Sequence, residues 1–81
     1  MRVKILLFAR LKELAGNEAV ELELPPGTSL SEAWRHLQEQ LPALRVFKSP
    51  PLMARNLELA PGEEALGVGD EIAFFPPVSG G

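Results

Sequence analysis

The chain has 81 residues, of which 46% are apolar and none is cysteine. That composition specifies one small folded domain. It excludes a disordered chain, a disulfide framework, a thiolate metal site and a cysteine nucleophile. A net charge of −3, from eleven Asp or Glu against eight Lys or Arg, argues against a nucleic-acid binder, which presents a basic surface. The lack of cysteine fits a reducing, cytoplasmic setting, and no apolar run approaches membrane-spanning length.

The opening "RVKILLFA" reads as a strand with Val3, Ile5 and Leu7 on one face and Lys4, Leu6 and Phe8 on the other. Both faces become apolar toward its end, which predicts a central strand. The same stretch imitates a signal peptide, but "ILLFA" is too short, charge resumes at Arg10, and no small-residue cleavage site follows. "RLKELAGN" predicts a short helical turn closed by Gly16 and Asn17, residues that tolerate positive φ. "EAVELEL" alternates, with Val20, Leu22 and Leu24 inward and Glu21 and Glu23 outward, as a half-exposed strand does.

Pro25, Pro26 and Gly27 break that strand. A helix is predicted next. Thr28 or Ser29 can cap it, and Glu32 stands at capping-box distance from Ser29. Leu30, Ala33, Trp34, Leu37 and Leu41 form one apolar stripe, and Pro42 ends the helix. "LRVFKSPP" reads as an irregular connector, "LMARNLELA" as one or two short strands around Asn56, and "PGEEALGVGD" as turns. "EIAFFP" is the last strand, with Ile72 and Phe74 inward and Ala73 and Phe75 outward. One amphipathic helix needs one apolar sheet face to cover, so the expected fold is α+β, a mixed sheet packed against one main helix.

The chain has few groups that suit catalysis. His36 falls on the polar side of the helix with no placed partner and reads as a solvated residue. Trp34 lies on the apolar stripe and reads as core. Glu63, Glu64, Asp70 and Glu71 show no metal-ligand spacing and read as an acidic surface; no metal site is expected. Ser49 and Ser79 have no identifiable base, and "GVGD" lacks the helix that a phosphate loop needs.

The end, "FFPPVSGG", is different. Two terminal glycines arise by chance in roughly 0.5% of chains. Pro76 and Pro77 fix φ and carry the chain away from the sheet. From Val78, four residues reach roughly 13 Å. The division expected is a folded domain over 1–77 and a slim tail over 78–81. Glycine leaves the terminal carbonyl carbon unhindered for a nucleophile once the carboxylate is activated, and two glycines can thread a narrow channel. The working group is therefore expected to be the Gly81 carboxylate, with Gly80, Ser79 and Val78 as the threading segment. The competing reading is an inert end.

"GDEIAFFPPVSGG", together with "VKILLFARLKELAG", "PPGTSLSEA" and "ARN", resembles the MoaD/ThiS family of sulfur carriers, on the molybdopterin synthase branch more closely than the thiamine branch. The resemblance implies a ubiquitin-like β-grasp fold. It also implies a cycle. An adenylyltransferase similar to ubiquitin-activating enzymes spends ATP to adenylate Gly81, and a sulfurtransferase replaces the adenylate to leave a thiocarboxylate. The tail then inserts into the large subunit of molybdopterin synthase, in a heterotetramer, where sulfur passes to cyclic pyranopterin monophosphate for molybdenum cofactor biosynthesis. Catalytic groups would lie on the large subunit, and no cofactor would be permanently bound. In a β-grasp sheet the first and last strands are adjacent and parallel. Phe8, Phe75, Pro76 and Val78 are therefore expected to form an apolar partner contact, with Arg10 and Lys12 on its polar rim. The alternatives that share the tail chemistry are thiamine synthesis, tRNA thiolation and ubiquitin-like protein modification.

Overall fold

The computed structural model describes residues 1–77. Strand β1 (Arg2–Leu7) leads to helix α1 (Ala9–Ala15), strand β2 (Ala19–Glu23) and helix α2 (Leu30–Gln40). A 3₁₀ helix (Pro42–Val46) follows, then strands β3 (Leu52–Arg55), β4 (Glu58–Leu59) and β5 (Glu71–Phe75). The five strands form one sheet in the order β2-β1-β5-β3-β4. β1 and β5 are parallel, and every other pair is antiparallel. This is the ubiquitin-like β-grasp arrangement, a mixed sheet with α2 across one face. β1 is interior, as its two apolar faces require, but the central strand is β5.

The alternation read from the sequence sets which face is covered. Val3, Ile5 and Leu7 of β1 and Ile72 and Phe74 of β5 are buried on the α2 side. They meet Leu30, Ala33, Trp34 and Leu37 of α2, all buried as the helical stripe requires. Trp34 meets Phe74 edge-on, with ring centroids 5.2 Å apart at 67°, a geometry the ring quadrupoles favour. The start of α2 is held by a complete capping box. Glu32 N–H donates to Ser29 Oγ (3.2 Å), and Ser29 N–H donates to Glu32 Oε1 (2.9 Å). Such a cap contributes about 1 kcal/mol. The same Ser29 N–H holds the Glu32 carboxyl below the usual carboxylate range.

Two segments carry more structure than expected. "RLKELAGN" forms a seven-residue helix instead of a single turn. Gly16 closes it at φ 77, donating its N–H to the Lys12 carbonyl (2.9 Å). A helix this short is unstable alone; Leu11, fully buried in the main core, holds it. The connector after α2 is not irregular throughout. Pro42 stops α2 but suits the first turn of a new helix, and Leu44 enters the core from the 3₁₀ segment. Gln38 Nε2 donates to the Leu44 carbonyl (3.2 Å), and Arg45 Nε donates to the Gln38 carbonyl (3.1 Å). No helix among the described residues is long and apolar enough to cross a membrane.

Candidate functional site

The sheet face turned away from α2 divides into two halves. Toward β2 it carries Lys4 opposite Glu21, both exposed. Toward β3 and β4 the strand register builds an apolar field. Leu6 lies opposite Ala73, Ala73 opposite Ala54, Ala54 opposite Leu59, and Phe75 opposite Leu52. Paired residues share a face, so these side chains are contiguous. Phe8, one residue past β1, stacks on Phe75 with ring centroids 4.7 Å apart and planes 11° from parallel. Phe8 is 40% exposed, Leu52 46% and Leu59 76%. A shallow depression of about 210 Å³ lies among Leu6, Phe8, Leu59, Ala73 and Phe75. Exposed apolar residues this contiguous mark an interaction surface more often than a random scatter does.

Parallel pairing of β1 and β5 brings Phe8 and Phe75 together at the carboxyl ends of both strands, beside half-buried Pro76 and Pro77. Arg10 and Lys12 are not joined to that stack. Arg10 pairs with Glu13 (3.7 Å) along α1, and Lys12 pairs with Glu18 (3.6 Å). Both pairs are exposed and worth well under about 1 kcal/mol each, so both cations can exchange partners at little cost. Val78, Ser79, Gly80 and Gly81 lie outside the described residues. Leu52, Leu57 and Leu59 enlarge the apolar field beyond the residues singled out from the sequence. Pairing β3 with β5 in antiparallel register puts Leu52 beside Phe75, and the alternation within "LMARNLELA" alone did not reveal the neighbour.

The edge of the face is fixed by a polar cluster around Asp70, whose sequence context predicts a place on an acidic surface. Asp70 is instead buried. Its Oδ2 accepts from Gly67 N–H (2.7 Å) and Arg55 Nε (2.7 Å), and its Oδ1 accepts from Asn56 Nδ2 (3.0 Å). Arg55 Nη1 also reaches Glu64 Oε2 (3.0 Å). The Gly67 N–H foremost, against the cost of burial and helped by Asn56 and Arg55, holds the Asp70 carboxyl below the usual range. Donating to the carboxylates of Asp70 and Glu64 pushes the Arg55 guanidinium pKa further up. Across the cluster, Asn56 N–H donates to the Glu71 carbonyl (2.8 Å) and Glu71 N–H donates to Asn56 Oδ1 (3.0 Å). The cluster thus ties the β3–β4 turn to the start of β5. Trp34 is core and His36 sits beside Glu32, Arg35 and Glu39 on the outer face of α2. No group of three or more His, Asp or Glu among the described residues is arranged to hold a metal ion.

A family model described as the ThiS family matches residues 5–81. The chain is 45% identical over 82 residues to the molybdopterin synthase sulfur carrier subunit of Haemophilus influenzae, spanning 98% of this chain and 99% of that protein. It is 40% identical over 83 residues to small archaeal modifier protein 1 of Haloferax volcanii, spanning 93% of this chain and 95% of that one. The crystal structure of the Haloferax protein aligns with a TM-score of 0.85 at 37% identity, covering 100% of both chains. A β-grasp sheet, an apolar face beside the end of its last strand, and a family match that continues through Gly81 together lead to one conclusion: the chain belongs to the ThiS family.

Proposed function

We propose that this chain is the sulfur carrier of a molybdopterin synthase, holding sulfur as a thiocarboxylate on Gly81. The observation that carries this reading is the full-length similarity to a relative named as that carrier subunit, with the family match running through the final residue. The chemistry has two steps. The Gly81 carboxylate attacks the α-phosphorus of ATP, giving an acyl adenylate and releasing pyrophosphate. Hydrosulfide-level sulfur supplied by a sulfurtransferase then attacks the carbonyl carbon, displaces AMP and gives up its proton, leaving C(=O)S⁻. The adenylyltransferase and the large subunit supply the catalytic groups. In the synthase, the sulfur passes to cyclic pyranopterin monophosphate and the carboxylate is regenerated.

The test is intact-mass spectrometry after incubation with ATP, the activating enzyme and a sulfur source. The expected result is the gain of one oxygen-to-sulfur exchange, located by fragmentation to Gly81. An unchanged mass with competent partner enzymes rejects the reading. Similarity to a relative named as a modifier protein supports a second reading, in which the activated carboxylate forms an isopeptide bond with a lysine of another protein. Conjugates of higher mass, in place of the thiocarboxylate, would favour it.

The large subunit is proposed to dock on the apolar face around Phe8 and Phe75, with Pro76 and Val78 continuing the contact and Arg10 and Lys12 at its rim. Phe75→Ala removes a stacked aromatic from the middle of that contact. The expected loss is about tenfold to a hundredfold in Kd for the large subunit by calorimetric titration, with the folded circular-dichroism spectrum retained. Unaltered affinity would remove Phe75 from the interface.

A further inference from the structure

The chain turns from β3 to β4 through Asn56 and Leu57, and both take positive φ, 50° and 72°. This is the handedness that a tight hairpin demands and that Asn-Gly satisfies without strain. Asn56 tolerates it, and its side chain is locked to Asp70 and Glu71. Leu57 does not, because its Cβ crowds the following carbonyl. Leu57 is also 90% exposed, so within the folded chain no burial offsets the strain. The other non-glycine residue with positive φ among those described is Ala9, at φ 51, directly after Phe8. Leu57 lines the depression beside Phe75, and Ala9 follows directly on Phe8 in the chain, so both strained residues adjoin residues of the apolar face. Strain held by surrounding structure and gathered at one surface is a mark of function.

We infer that Leu57 is a preset anchor of the docking face, held out by the Asn56–Asp70 lock so that it inserts into an apolar recess of the large subunit. This rests on the docking reading above, whose apolar field Leu57 extends without a break. A strained but rigid presentation lowers the entropy lost on binding, because the side chain's backbone is ordered before the partner arrives. The stability forgone in the free chain is then offset by burial in the complex.

Leu57→Gly separates the two effects, because they have opposite signs. Glycine relieves the strain, so the melting temperature of the free chain should rise by about 5 °C. The anchor is lost, so Kd for the large subunit of the same organism's synthase should weaken about tenfold. Leu57→Met keeps an apolar side chain and should bind within about threefold of the parent. A rise in melting temperature with unchanged Kd, while Phe75→Ala weakens binding, overturns the role of Leu57 and leaves the docking face standing. If neither variant weakens binding, the docking face itself fails and this inference with it. Loss of a concentration-dependent dimer on Leu57→Gly, with unchanged large-subunit affinity, would assign the anchor to a second copy and overturn it as well.

Discussion

Deletion of Gly81 is expected to abolish sulfur loading while leaving the fold and its unfolding transition unchanged. The two outcomes separate because they depend on different parts of the chain. The buried core among the described residues ends at Phe74, seven residues before the deletion. Loading depends on where the terminal carbonyl reaches. Removing one residue withdraws the carboxylate by roughly 3.5 Å, and a misplacement of about 1 Å from a near-attack geometry already costs about a hundredfold in rate. The shortened chain still ends in glycine, so its carboxylate is chemically equivalent, and only its position changes. Gly81→Ala makes the complementary change. It keeps the reach and adds a methyl beside the reacting carbon, so partial loading is expected. The measurements are intact mass after the activating reaction and thermal unfolding of the unloaded chain. Normal loading of the deleted chain would remove the terminal carbonyl from the mechanism.

The second large effect concerns stability. Asp70→Asn is expected to cost about 2–4 kcal/mol at neutral pH. For a domain of this size that lowers the melting temperature by roughly 10–25 °C. The Asp70 carboxylate accepts from three donors, Gly67 N–H, Arg55 Nε and Asn56 Nδ2. An amide in its place must turn an N–H₂ toward one of them and leaves the Arg55 charge less well matched. The pH dependence follows from the lowered folded-state pKa. Above the ordinary carboxylate range the ionised group contributes its full stabilisation. As the pH falls below about 4 and through the lower folded-state value, protonation of the native chain removes it. The stability difference between parent and Asp70→Asn should therefore be constant from pH 7 to about 5 and shrink toward pH 3. Urea unfolding at those values measures it. An equal difference at pH 3 and pH 7 would show that the charge of Asp70 is not what holds the cluster.

Asp70 also couples the fold to the proposed site. It fixes Asn56, and Asn56 fixes the turn that presents Leu57. Loosening the cluster should therefore weaken partner binding even though Asp70 lies off the apolar face.

Local pattern was enough to reveal much of this molecule. The two-residue alternation in "RVKILL" and "EIAFF" assigned each side chain to its face, because a strand's pleat has no other period. The stripe Leu30, Ala33, Trp34, Leu37 and the Ser29–Glu32 pair located α2 and its start, because both signals lie within a few residues of each other. The tail motif and the family resemblance were likewise local or whole-chain sequence properties. What needed the tertiary structure was everything set by pairing between distant segments. Leu52 and Leu59 became part of one surface only when β3 and β4 took their register beside β5. Asp70, one acidic residue in a run of turns, became a buried hub only when the chain returned it to Arg55 and Asn56. Leu57 looks ordinary in "RNLEL"; the hairpin's handedness, imposed by the strands on either side, is what strains it. Periodicity reports which way a side chain points, and only the closed sheet decides what it meets there.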